Sequence, residues 1–208
     1  GIIFLMAGFI LIRTFTDENT KKPDATKIAF LMDALQVERW YTDRDVFVST
    51  AEGLGAEVEV YVANSNAQKQ FEQAEEALAA GADILVLVAA DASKVGPILK
   101  AAQAENVPVL AYDRLLPHED ISLYLSFDNQ MVGKLQAEYA LKAHPKGKYA
   151  IVCGPKRDFN SLLYRKGQYE AIEPKIKAGD IELVYDEYMG EWAEMEGYMA
   201  AAELLAMN

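Results

Sequence analysis

The chain has 208 residues, 51% hydrophobic and 25% charged, the balance of a globular protein with room for one large domain or two small ones. Its net charge is −12, and its 20 basic residues are scattered among 32 acidic ones, which excludes the clustered Lys and Arg that a nucleic-acid partner demands. One cysteine, Cys153, rules out an internal disulfide framework and any multi-cysteine metal site.

Residues 1–12, GIIFLMAGFILI, form one apolar run that ends at Arg13. The run is shorter than the about 20 residues that a membrane-spanning helix needs. It fits the apolar region of a signal peptide or the end of an uncleaved membrane anchor. No lipobox cysteine and no clear small-residue cleavage pattern follow it, which favours the anchor. Both readings place the rest of the chain on the periplasmic or extracellular side of a membrane. The polar stretch FTDENTKKPDATK contains Pro23 and reads as a linker, so residues 1–25 stand apart from the folded part.

Apolar runs then alternate with helical segments. KIAFLM (27–32) reads as a strand, residues 39–54 as a helix closed by Gly55, and AEVEVYVA (56–63) as an alternating strand. Residues 66–81 read as a helix, with Phe71, Ala74 and Leu78 at helical spacing and Gly81 as its stop. DILVLVAA (83–90) is continuously apolar, as in a parallel sheet covered on both faces. A helix over 93–106, with Pro97 in its first turn, leads to the strand VPVLAY (107–112), and SLYLSF (122–127) adds another. The pattern restarts with helix 129–143, strand 148–153, helix 160–178, strand 181–187 and helix 193–206.

This order predicts an α/β fold of two lobes, each a doubly wound parallel sheet with right-handed crossovers. The first lobe spans 26–127 and the second begins at 128. The second has two clear strands, where a sheet commonly has about 5 or 6, so an incomplete lobe is expected over 128–208. Cys153, in YAIVCG, reads as a small core hydrophobe. His118 and His144 stand in loop-like contexts with no metal-ligand spacing and read as surface residues.

In open α/β sheets ligands bind beyond the carboxyl ends of the strands. Those positions hold Asp33, Arg39 and Trp40 after the first strand, and Asp91 after the third. Asp113 and Arg114 follow the fourth. In the second lobe they hold Lys156, Arg157, Asp158 and Asn160, with Arg165 one turn on, and then Glu191 and Trp192. No GxGxxG, P-loop or nucleophile elbow is present, and no cofactor is expected. The mixture suits a neutral polyol. Carboxylates accept from hydroxyls, Arg and Asn donate in planar forks, and indole stacks on the aliphatic face of a sugar ring. Each group also has a plainer reading: Trp40 as packing, Asp113 and Arg114 as a local ion pair, Asp158 or Asn160 as a helix cap.

The motifs ERWYTDRD (38–45), LAYDRL (110–115), SFDN (126–129), DFNSLLYR (158–165) and the GEW ending at Trp192 together resemble the ribose/galactose-type periplasmic sugar-binding family. The combination with Arg165 and Trp192 resembles its D-xylose binders. The resemblance runs from about Lys27 to the end and implies the type I periplasmic binding protein fold. It implies that Arg39, Asp113 and Arg114 bind the sugar from the first lobe and Asp158, Asn160 and Arg165 from the second, with Trp40 and Trp192 sandwiching the ring. CGPKRDFN (153–160) departs from the family's more glycine- and serine-rich turn. The implied mechanism is hinge closure over a monosaccharide, read by an ABC transporter permease. A tethered sensor signalling to a membrane histidine kinase is the alternative, followed by a binder of several monosaccharides. A repressor on the same two lobes would need a helix-turn-helix before the first strand, where an apolar run stands instead. A glycosidase would need one carboxyl able to hold a proton, but Asp113 and Asp158 each have an arginine close by.

Overall fold

The computed structural model describes residues 25–206. The apolar run 1–12, with its reading as a signal or anchor, lies outside them, as does most of the linker. Among the described residues no helix is long and apolar enough to cross a membrane.

Side-chain alternation along β1 (Lys27–Met32) explains the first sheet. Ala29 and Leu31 point to one face, where they meet α2 (Ala67–Ala79) and α3 (Gly96–Ala104) through Ala74, Ala77, Ile98 and Ala102. Phe30 and Met32 point to the other, where α1 (Arg39–Gly53) supplies Trp40 and Phe47. β3 (Ile84–Leu87) divides its apolar run in the same way, Leu85 and Leu87 to one face and Val86 to the other. With β2 (Glu57–Val62), β4 (Val109–Tyr112) and β5 (Leu123–Leu125), the strands form one parallel sheet in the order β2-β1-β3-β4-β5. Helices cover both faces, as the continuous apolar run at 83–90 requires.

Several elements are shorter than their sequence patterns: β4 and β5 occupy only part of the runs at 107–112 and 122–127, and for β3 and the helix after it the cause is visible. β3 leaves the ladder at Leu87 because a buried side chain takes over its hydrogen bonds. Gln70 Nε2 donates to the Val88 carbonyl at 2.9 Å, and the Ala90 amide donates to Gln70 Oε1 at 2.9 Å. The helix expected over 93–106 splits into a 3-10 turn, Ala92–Lys94, and α3. Asp91 caps the turn by accepting from the Ser93 amide at 3.0 Å, and Pro97 sits in the first turn of α3, where its missing N–H costs nothing.

Asp128 caps α4 (Asn129–Ala143), its Oδ1 accepting from the Met131 amide at 2.9 Å. β6 (Gly147–Cys153) and β7 (Ile181–Tyr188) pair in parallel as a second sheet, joined by α5 (Phe159–Lys177) and followed by α6 (Glu194–Ala206). The core of this part comprises Ala137, Ile151, Cys153, Ile172 and Ile181. α4 and α5 cross at a pair of glycines. A methyl on Gly133 would collide with the Tyr164 carbonyl, and one on Gly167 with the Gln130 carbonyl, so the two backbones touch where neither residue has a side chain.

Arg165 tethers α5 to β7. Its Nε donates to Asp186 Oδ1 at 2.8 Å, its Nη2 pairs with Asp186 Oδ2, and the Tyr169 hydroxyl donates to Oδ2 at 2.5 Å. The guanidinium lies 4.4 Å from the Tyr169 ring centroid. The hydrogen bond from Arg165 is the largest influence on Asp186 and holds its carboxyl below the usual carboxylate range, against the opposing effect of burial. That contribution to stability is fully present above the unfolded carboxylate value of about 3.9 and is lost as pH falls through the lowered folded value.

Gly167→Ala is expected to destabilise the protein by about 1–3 kcal/mol in urea melts despite alanine's better helix propensity. Gly197→Ala in α6, where an added methyl meets nothing within 4 Å, raises stability by about 0.5–1 kcal/mol. Asp186→Asn lowers stability at neutral pH. Melts repeated at falling pH will show the difference from wild type shrinking below about pH 4, and a pH-independent difference excludes the linkage.

Candidate ligand-binding site

The carboxyl ends of β1, β4, β6 and β7 converge on a cavity of about 390 Å³, within the ~300–1,000 Å³ of small-molecule sites. Arg39, Trp40, Asp113, Arg114, Asp158, Asn160 and Trp192 all line it. Arg165 does not: it is engaged by Asp186 on the second sheet. The helical spacing places it on the flank of α5 that faces β7 rather than the flank that continues from Asn160.

Asp113 leaves β4 in the left-handed region, φ 63°, which Asp tolerates better than most residues. Backbone hydrogen bonds on both sides of the residue impose this turn. Its amide donates to the Leu125 carbonyl at 2.8 Å, and its own carbonyl accepts from Ser126 Oγ at 2.6 Å and Asn160 Nδ2 at 3.0 Å. The carboxylate is thereby delivered to the cavity wall, where Oδ1 accepts from Arg39 Nη2 at 2.5 Å and Oδ2 from Asn160 Nδ2 at 3.3 Å. Burial works against the charge of Arg39, but its bonds to Asp113 and Asp43 outweigh it and leave the guanidinium more firmly protonated.

Arg114 is 4% exposed and joins the two sheets. Its Nη1 donates to Asp33 Oδ2 at 2.7 Å and to the Ala89 carbonyl at 2.6 Å, and its Nε lies 3.2 Å from Asp158 Oδ2. Asp158 caps α5, its Oδ1 accepting from the Asn160 amide at 2.9 Å, while Oδ2 also accepts from Trp192 Nε1 at 2.9 Å. The cap reading of Asp158 and its place in the cavity are therefore both realised. The Trp192 indole lies against Gly154, where any side chain would collide with it.

Trp40 is 6% exposed and packs on Phe30, Met32, Val86 and Val88. Its ring also forms cavity wall, with the Arg39 guanidinium 4.6 Å from the centroid and that of Arg114 at 5.9 Å. Packing and site are one role here, because the core of that sheet face ends at the cavity.

Ser161, Tyr164 and Gln168, which are not among the strand-end residues, also line the cavity, one, four and eight residues after Asn160. That helical spacing was the available signal. Ser161 Oγ and Gln168 Oε1 are buried without a hydrogen-bond partner. Burial, then the charges of Asp113 and Asp158, push the Tyr164 phenol above its ordinary range. Asn129, from the SFDN motif, donates through Nδ2 to Asn160 Oδ1 at 2.9 Å and so orients the amide that faces Asp113. Cys153 lies in the cavity wall, and burial pushes its thiol up to about 11, which keeps it neutral.

Residues 28–208 match the family described as periplasmic binding protein domain. The chain is 40% identical over 166 residues to the D-xylose-binding periplasmic protein of Escherichia coli (strain K12), covering 80% of this chain and 50% of that protein. It is 36% identical over 182 residues to the D-xylose-binding periplasmic protein of Haemophilus influenzae, covering 88% and 55%. A solved ABC transporter solute binding protein from Clostridium phytofermentans with bound β-D-glucose aligns with a TM-score of 0.73 at 27% identity, over 76% of this chain and 51% of that one. The chain thus spans about half the length of the curated relatives it matches. The family match begins within β1 and runs to the last residue, and this chain belongs to the periplasmic binding protein domain family.

Proposed function

We propose that this chain carries part of the site of an extracytoplasmic monosaccharide receptor, with D-xylose as the ligand and an ABC permease as the recipient. The observation that carries the reading is the composition of one cavity wall: Arg39, Asp113, Asn160 and Asp158 beside two indoles, at strand ends of two different sheets. Such a wall offers paired donors and acceptors to vicinal hydroxyls and an apolar face to the ring. The identities of 40% and 36% to proteins named for D-xylose support that sugar over others.

The ligand set we propose is Arg39, Asp113, Asp158 and Asn160, with Trp192 as the stacking face and Trp40 as the floor. Arg165 is not part of it. In this reading residues 26–127 and the part from 128 onward are two lobes that close on the sugar about a hinge, and the closed form is what the permease recognises. Nothing in the cavity calls for bond-breaking chemistry, and the protein acts as a receptor rather than an enzyme. The periplasm is its proposed location.

Calorimetric titration of the protein at its full natural length with D-xylose, D-ribose, D-glucose and L-arabinose tests the reading. D-xylose is expected to bind tightest, and no heat with any of the four sinks it. Asp113→Asn, which keeps the turn but places a donor opposite Arg39 and Asn160, should weaken xylose binding by about tenfold or more while the melting temperature stays near wild type. Arg114→Met should instead cost about 3–5 kcal/mol of stability in chemical denaturation, because it strands the buried carboxylates of Asp33 and Asp158.

A further inference from the structure

Arg157 stands just before the cap of α5, outside the cavity wall, and bridges three stretches of chain. Its Nε donates to the Ala90 carbonyl at 3.2 Å, and its own carbonyl accepts from the Ala92 amide at 3.2 Å, both in the loop that follows β3. Its Nη1 donates to the Gly190 carbonyl at 2.5 Å, and its Nη2 pairs with the Glu191 carboxylate, both in the loop that follows β7. The next residue in that loop is Trp192. The far side of the loop is held by Glu196 Oε2, which accepts from the Gly190 amide at 2.6 Å and the Glu191 amide at 3.1 Å.

We infer that Arg157 is a positioning residue that clasps the Trp192 loop to the carboxyl end of β3 and thereby slows ligand release. The inference rests on the sugar-receptor reading for its effect on binding. An exposed ion pair alone contributes little, and the Glu191 side chain is 42% exposed. What distinguishes Arg157 is its planar fork, which meets acceptors on both sheets at once, a geometry that an ammonium group cannot reproduce. Separating the sheets to free a ligand breaks its bonds to Ala90 and Ala92. Losing its bonds to Gly190 and Glu191 frees the indole that covers the cavity. Both losses belong to the dissociation step.

The test measures xylose association and dissociation rates for wild type, Arg157→Met, Arg157→Lys and Glu191→Gln in the protein at its full natural length. Hydrogen exchange of the peptide covering 188–193 is followed without ligand in the same proteins. Arg157→Met is expected to raise the dissociation rate about tenfold with the association rate nearly unchanged, because lost interface contacts act mainly on dissociation. Arg157→Lys recovers part of the loss, Glu191→Gln shows a smaller effect, and exchange in 188–193 quickens in Arg157→Met. A dissociation rate for Arg157→Met within about twofold of wild type overturns the inference, since the expected change exceeds it. If wild type binds no sugar, the receptor reading fails. The exchange result then decides the clasp: faster exchange in Arg157→Met supports it, and unchanged exchange overturns it.

Discussion

One buried guanidinium organises the site. Arg114 lies between the carboxylates of Asp33, at the end of β1, and Asp158, at the start of α5, and it also holds the Ala89 carbonyl beyond β3. Taking three charges out of water is expensive, and here the cost is offset by opposite charge on both sides of the guanidinium and by the Ala89 carbonyl, while Asp33 Oδ1 and Arg114 Nε stay buried without a hydrogen bond. The consequence is positional. The ends of β1, β3 and β4 and the first turn of α5 are fixed to a single planar group, so the two sheets meet at a defined distance and leave a cavity between their carboxyl edges.

Around that anchor the cavity-lining groups are held largely through bonds to their backbone and neighbouring side chains. The left-handed turn at Asp113 is enforced through its backbone, from Leu125, Ser126 and Asn160, which leaves the carboxylate to face Arg39 and the cavity. Asn160 is itself oriented by Asn129. Backbone strain of this kind persists where surrounding structure over-determines it, and it is commonest at functional sites. Asp158 shows the same economy: one oxygen caps a helix while the other meets Arg114 and the Trp192 indole.

The indoles divide the labour. Trp40 is rigid because it is core, packed on Phe30 and Val86. Trp192 is 36% exposed and sits on a loop, so its position depends on contacts to Asp158, Gly154 and the chain held by Arg157. The proposed hinge closure would use the first as a fixed floor and the second as a cover.

Much of this was legible in the chain itself. Apolar runs of 4 to 8 residues punctuated by helical segments mark each β-strand and α-helix described here, though not the 3-10 turn Ala92–Lys94, because burial on both sheet faces leaves a periodic trace in residue type. The rule that ligands meet the carboxyl ends of strands points to seven of the residues that line the cavity. Two matters were decided only by tertiary structure. Arg165 reads as a ligand beside DFN, yet it turns to Asp186, a partner 21 residues away on β7, since the rotation of a side chain about its helix follows from what packs there. Asp33 stands at a strand end, Asn129 in the SFDN motif and Arg157 at another strand end, but nothing in the sequence names the groups they bind. Their roles arise from partners 81, 31 and 67 positions distant in the chain, and the pairing of such separated groups is set by how the sheets pack and not by local sequence.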